Sequence, residues 1–232
     1  MLKNGLYNSY NYIKTNNLSM VQFNTIFKRN QSLSLSIRYY KYKKIVKQPI
    51  LSYLFYYNEN TKKGDELNTA LWDKLINKNI ALKAIQFIGK NYLKETIKIE
   101  NDVILLFSLF QVADTYQYIN ETGYFYIRNH NDSITNSWKD PKISNSIIHG
   151  LFTNIKFFYQ KTGNSFLDKY FCFFKLKQSF NRYIICFREA KKEYNFALSV
   201  IHLLLDSPYI SKKDKIIISN IEISLINLVD VV

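Results

Sequence analysis

The chain has 232 residues, 47% of them hydrophobic, and a formal net charge of +14 at pH 7. That length and apolar content exclude disorder throughout and suit one ordinary core, or one domain with an appendage. The positive charge points to a polyanionic partner, either nucleic acid, an anionic membrane face or a phosphate-bearing ligand. Genome composition is a competing source of it, because Lys, Asn, Ile, Tyr and Phe are all abundant and all have AT-rich codons.

Residues 4 to 16 place Leu6, Tyr10 and Ile13 at helical spacing, and the turn-prone Asn16 and Asn17 follow. "MVQFN" is then a short strand. "SLSIRYYKYKKIVK" alternates β-branched and aromatic residues with basic ones, the pattern of a strand with one wet face. The same interleaving would suit a nucleic-acid platform, but it lacks the ordered spacing of a stacking motif, so a solvated strand face is expected. No Asp or Glu precedes Glu59. Mitochondrial transit peptides are also poor in acids, although they are Arg- and Ser-rich, whereas Lys predominates here.

After the polar loop "NENTKKGDE", "LNTALWDKLI" opens a new ordered region. "NIALKAIQFIG" predicts a helix with Ile80, Ala84 and Phe87 on one side and Gly89 as its stop. "TIKIE" alternates as a strand. "ENDVILLFSLFQVAD" has the apolar density of a buried helix starting near Asn101 or Asp102. "TYQYI", the turn "NETG" and "YFYIR" predict two further strands.

From Ser144 onward the pattern is helical, with Ile148, Leu151, Phe152, Ile155 and Phe158 recurring every three or four residues. Further helices are expected over "SFLDKYFCFFKLKQSF", over "NRYIICFREAKKEYNFALSVIHLLL", and after Pro208 over "SKKDKIIISNIEISLINLV". The division expected is an α/β domain over 1–142 and an all-helical segment over 143–232. Aromatic faces beside Lys and Arg would permit docking on a membrane surface, and packing on one another is the simpler expectation.

Cys172 and Cys186 share no metal-ligand spacing and form no disulfide framework. His130, His149 and His202 are scattered, so a metal would need carboxylates as well. His149 and His202 lie within apolar helical patterns, where a satisfied helix position is expected of them. No apolar run reaches the ~18 residues needed to span a bilayer. The start of the chain does not read as a signal peptide. The expected location is cytoplasmic or peripheral to a membrane, with a mitochondrial one as the alternative.

The stretch from Trp72 to Thr135 has an ordered set of features: "LWDKLI", a helix, "IENDVILLF", then "YQYINETGYFYIRNHNDSIT". This order resembles the family 2 glycosyltransferases of the GT-A fold. There a "W-x-K-L" segment precedes an acidic pair opening a helix, and an aromatic strand leads into an "R-x-x-x-x-S-I-T"-like loop. The resemblance covers residues 1 to about 140 and is most specific over 71–135. It implies a partial GT-A-like mixed sheet with flanking helices, from which the first nucleotide-binding strand and the Asp-x-Asp motif are missing. The chain is accordingly expected to be the acceptor-side portion of a glycosyltransferase, inactive alone. The second departure from the family is the acidic pair, which reads Asn101-Asp102 with Glu100 one place earlier.

The resemblance implies inverting transfer of a sugar from a nucleotide-sugar donor to a glycan, protein or lipid acceptor, with Mn or Mg as the family's divalent metal. Asp102 matches the family's base, the carboxylate that takes the acceptor hydroxyl's proton. Its competing reading is a helix cap. Arg128, His130 and Ser133 would belong to a loop closing over the donor diphosphate, with His130 near the metal. Trp72, Asp73, Lys74 and Glu100 would serve the acceptor, Trp72 by stacking. A polar hairpin end is the alternative for the loop, and core packing is the alternative for Trp72. On this reading nucleic acid is not an expected partner. The alternative function is a basic RNA- or membrane-surface-binding protein without catalysis.

Overall fold

The computed structural model describes residues 3–29, 32–36, 45–46, 57–58, 63–64, 71–94, 101–128, 140–162, 176–177, 180–181 and 183–230. It is mixed α/β with a helical C-terminal region, and the chain forms two compact units: 1–95 with 102–131, and 96–101 with 132–232.

In the first unit the elements run α1 (Lys3–Thr15), β1 (Met20–Arg29), β2 (Ser32–Ser36), β3 (Ile45–Val46), β4 (Tyr57–Asn58), β5 (Lys63–Gly64), β6 (Lys74–Ile76), α2 (Lys78–Ile88), α3 (Lys90–Lys94), α4 (Asn101–Val112) and β7 (Thr115–Arg128). The main sheet is five-stranded, in the order β2-β1-β7-β3, with β6 also paired to β1. β1 and β7 run parallel, while β2 and β6 on β1, and β3 on β7, run antiparallel. β4 and β5 make a separate two-stranded pair.

Alternation along β1 divides the core into two faces. Met20 packs with Ile80 and Ala84 of α2, Leu106, Leu109 and Phe110 of α4, and Tyr116 of β7. Val21 and Phe23 point the other way and join Leu18, Ile119 and the Tyr12 and Ile13 side chains of α1. α4 is apolar almost all round, as a helix buried on several sides must be. Ser19 locks the ends together. Its Oγ accepts from the backbone N–H groups of Asp114 (3.1 Å) and Thr115 (3.3 Å), and its own N–H donates to Thr115 Oγ1 at 2.7 Å.

Two expectations are corrected in this unit. The hairpin expected over residues 115–128 is a single strand. Between the pairs Gln22–Tyr118 and Thr25–Tyr124, β1 advances three residues while β7 advances six, so the turn-like "NETG" is absorbed as an irregularity in a continuous parallel ladder. The second correction concerns α1, whose expected face included Tyr10. That residue is exposed, and the buried positions are Gly5 and Ser9. A Cβ on Gly5 would lie 1.9 Å from the Thr122 carbonyl oxygen, so the helix backbone rests directly on the irregular part of β7. α1 ends where Asn17 adopts a left-handed φ of 47°.

α2 starts at an Asn77 cap whose side chain accepts from the Asn79 N–H at 2.9 Å, and it stops at Gly89, φ 82°. Ile80 and Ala84 are buried as the spacing predicts, joined by Ile88, while Phe87 is half-buried. The expected strand "TIKIE" and all of "RYYKYKK" lie outside the described residues.

The second unit contains α5 (Pro141–Thr162), a helical stretch at 183–189, a 3₁₀ turn (Lys191–Glu193), α6 (Tyr194–Asp206) and α7 (Lys212–Asp230). Asp140 accepts from the Lys142 N–H at 2.8 Å, and Pro141 occupies the first helical position. Ile148, Leu151, Phe152, Ile155, Phe157 and Phe158 are all buried. Phe171 and Phe174 lie outside the described residues. α7 opens on a serine cap: Ser211 Oγ accepts from the Asp214 N–H at 3.1 Å and donates to the Asp214 carboxylate at 2.7 Å. The single helix expected over 181–205 is interrupted. Ala190, with φ −89° and ψ 47°, leaves the helical region, and the Glu193 N–H closes a tight turn on its carbonyl at 3.0 Å. That turn carries Glu193 to His149 Nδ1, 3.0 Å away. His202 Nε2 meets Glu222 at 2.5 Å, so both helical histidines have partners, as expected. Among the described residues no helix is long and apolar enough to cross a membrane.

Candidate functional site

The polar chemistry of the first unit concentrates where β6, β1 and β7 lie side by side. "MVQFN" alternates in burial direction, so Gln22 and Asn24 fall on the same face as Met20 and point into the protein. Lys74 pairs with Gln22 in the β6–β1 register, and Tyr118 pairs with it on the other side. The side chains complete a chain of donors and acceptors across these strands. Lys74 Nζ donates to Asp73 Oδ1 at 2.6 Å, Gln22 Nε2 donates to Asp73 Oδ2 at 2.7 Å, and the Tyr116 hydroxyl donates to Gln22 Oε1. Next to it the Tyr118 hydroxyl donates to Asn24 Oδ1, and Asn24 Nδ2 donates to Asn120 Oδ1 at 3.0 Å.

Asp73 and Lys74 retain only 2% and 6% of their exposure. Two charges taken this far from water are tolerated only when each is paired and its remaining hydrogen-bonding capacity is used. Here both Asp73 oxygens are bonded, and the Gln22 amide is fixed in one orientation because it donates to a carboxylate and accepts from a phenol. These two side chains point into the protein, where they join β6 to β1 and β7. Gln22, Asn24, Tyr116 and Tyr118 are members of this network that sequence reasoning missed. The available signal was Gln and Asn at alternate positions of a strand whose neighbours are Met, Val and Phe.

Trp72, one residue before the ion pair, lies among the aromatic residues at the C-terminal ends of β1 and β7. It stacks on Tyr124 and Tyr126 with ring centroids 5.1 and 5.0 Å away, and Phe27 meets it edge-on at 5.8 Å. All four rings are half-buried. Such pairs contribute about 0.5–1.5 kcal/mol each beyond their buried area. The cluster is therefore a rigid aromatic ledge, partly closed to solvent and partly open to it. Arg128 is the last residue of β7, opposite Arg29 in register, two positions beyond Tyr126. The ledge and Arg128 thus share one end of the sheet.

Asp102 stands in the first turn of α4 and is half-buried. Val103, Ile104, Leu106 and Phe107 behind it are buried, which fixes the helix that carries it. The helix ends with the Ala113 N–H bonded to the Leu109 carbonyl at 2.9 Å, and β7 starts two residues later. Glu100, His130 and Ser133 lie outside the described residues.

No Asp-x-Asp occurs in the sequence. Among the described residues no group of three or more His, Cys, Asp or Glu side chains could hold a metal ion. The described residues do not supply a metal-ligand set. Comparison with family models, curated proteins and solved structures found no match for this chain.

Proposed function

We propose that this chain works as the acceptor side of an inverting, family 2-like glycosyltransferase, with Asp102 as general base. The observation that supports this reading is the setting of Asp102. It is a half-buried carboxylate in the first turn of a buried helix, two residues of connection separate that helix from an aromatic strand, and the strand runs parallel to β1 and ends at Arg128. The order of parts is that of the resemblance.

In the proposed reaction the acceptor hydroxyl gives its proton to the Asp102 carboxylate as its oxygen attacks the anomeric carbon. The bond from that carbon to the nucleotide diphosphate breaks on the opposite face, and the configuration inverts. The departing diphosphate takes the electron pair, and Arg128, with His130 and Ser133 beyond it, stabilises the charge through ionic hydrogen bonds. Trp72 and the tyrosines beneath it offer a flat apolar face on which a sugar ring can stack. Asp73 and Lys74 hold β6, and with it Trp72, against β1, so in this proposal their part in acceptor binding is indirect.

The test supplies what the sequence lacks. The chain is fused behind a segment carrying a nucleotide-binding strand and an Asp-x-Asp motif, and transfer is measured with uridine and guanosine diphosphate sugars. Asp102→Asn keeps the shape and removes the basicity, so turnover should fall by about 10²- to 10⁴-fold while donor affinity stays the same. Unchanged turnover would overturn the assignment and leave Asp102 as a helix cap.

A further inference from the structure

The second unit encloses a cavity of about 120 Å³ where α5, the stretch 183–189, α6 and α7 meet. Its walls include Ile148, Phe187, Ala197 and Leu225, all buried. The void follows from side-chain size. Ala190 and Ala197 face it with single methyl groups, and Phe187 is held aside by its ring contacts with Phe152 and Phe180, at 5.9 and 5.0 Å between centroids.

The mouth has a different character. Arg188 and Lys191 line it and both are exposed, and Tyr194 is half-exposed beside them. Among the described residues that line it there is no carboxylate. The nearest acid in sequence on the 3₁₀ turn, Glu193, is engaged with His149 at 3.0 Å, and Glu189 is exposed to solvent. An apolar chamber thus opens to solvent between two cations, with no carboxylate among its described lining residues. Apolar cavities of roughly 150 Å³ stay dry and take up a benzene-sized guest. Arg adds a planar fork that matches a carboxylate, and Lys adds a second positive charge.

We propose that this cavity binds a small aromatic or short-chain carboxylate, with its apolar body against Ile148, Phe187, Ala197 and Leu225 and its carboxylate at Arg188 and Lys191. The site lies wholly within the second unit and does not depend on the glycosyltransferase reading.

The experiment is calorimetric titration of the full chain with benzoate, and in parallel with benzyl alcohol and benzylamine. Benzoate should bind with a dissociation constant of about 1 mM or tighter. Benzylamine, of similar shape and opposite charge, should bind at least about tenfold more weakly. Replacing both cations, Arg188→Gln with Lys191→Gln, should bring benzoate and benzyl alcohol to within about twofold of each other. Ala197→Leu should fill the chamber and abolish binding while the helical circular dichroism is retained. If that variant does not fold, Leu225→Ala enlarges the chamber instead, and preference should move from benzoate towards naphthoate. The proposal is overturned by no binding of benzoate, by equal binding of benzoate and benzylamine, by undiminished binding in a folded Ala197→Leu protein, or by unchanged preference in Leu225→Ala.

Discussion

Asp73→Ala is a sharp test of the polar network, because it removes one carboxylate on which two buried donors converge. Lys74 Nζ, with a side chain 0% exposed, loses an acceptor at 2.6 Å, and Gln22 Nε2 loses one at 2.7 Å. Removing one member of a buried ion pair costs about 3–5 kcal/mol, because the other charge is left in a medium that solvates it poorly. Depriving a buried amide donor of its acceptor adds about 1–3 kcal/mol. A total near 4–8 kcal/mol is a large share of the roughly 5–15 kcal/mol that holds a domain folded. At about 2–4 °C per kcal/mol for a chain of this size, melting should fall by at least ~8 °C. The double variant Asp73→Leu with Lys74→Met removes both charges at similar volume. It should recover most of the loss, since an apolar replacement of a buried pair is often neutral or stabilising. Urea unfolding of the parent, Asp73→Leu, Lys74→Met and the double closes the cycle. A cost below about 1 kcal/mol for Asp73→Ala would refute the argument, because surface pairs behave that way, and the pair would then have to be hydrated.

Gly5→Ala should destabilise by about 1–3 kcal/mol in urea unfolding although alanine favours helices, because its Cβ would meet the Thr122 carbonyl oxygen at 1.9 Å. Ser211→Ala removes the α7 serine cap and should cost about 1 kcal/mol by the same measurement. Burial pushes the Cys186 thiol above its ordinary value, outweighing the Ser144 hydrogen bond that lowers it. In a Cys172→Ser background Cys186 should therefore react with a thiol reagent only as fast as the protein opens. The sign of the pH effect follows: the neutral thiol is favoured in the fold, so its contribution is complete below the unfolded-state pKa and is lost as pH rises through the higher folded one. Thermal melts in that background should show stability falling on the alkaline side, an effect that Cys186→Ala removes. The unfused chain should bind nucleotide sugars weakly even with manganese present, and micromolar affinity by calorimetry would show that the donor segment is dispensable.

What could be read from the sequence followed its periodicities. Ile80 and Ala84 on α2, and Ile148, Leu151, Phe152, Ile155 and Phe158 on α5, are buried where the 3.6-residue period places them. Chain-end chemistry was legible for the same local reason: Asn17 and Gly89 stop helices at positive φ. The failures share a different cause. "NETG" has every local property of a turn, yet the chain continues through it, because β1 supplies parallel partners on both sides and α1 presents Gly5 to the irregularity. The helix break at Ala190 has no glycine or proline to announce it. The turn that follows it brings Glu193 to His149, 44 residues away in the chain, a pairing that no local pattern shows.

The site divides along the same line. Asp102 at a helix start and Arg128 at a strand end are positions that local pattern can locate, and the structure puts both there. Apart from the adjacent Lys74, the residues that set the role of Asp73 are ones that no local pattern links to it. Its partners Gln22 and Lys74 come from different strands, and Tyr116, 94 residues beyond Gln22, completes the chain. Local reading saw Trp-Asp-Lys as three consecutive polar and aromatic groups available to a ligand. The fold separates them: Trp72 joins Tyr124, Tyr126 and Phe27 at the open edge, and Asp73 and Lys74 turn inward to hold the strand that carries it. If that division is correct, Trp72→Ala and Asp73→Ala must fail in different ways. Loss of the indole should weaken acceptor use in the fused enzyme and lower stability by only the few kcal/mol of a half-buried aromatic. Loss of the carboxylate should lower stability by the larger ~4–8 kcal/mol and leave acceptor KM unchanged in the protein that remains folded. Acceptor KM and melting temperature, recorded for both variants, separate the two roles, and parallel changes in both quantities would show that the ledge and the ion pair act as one structural element.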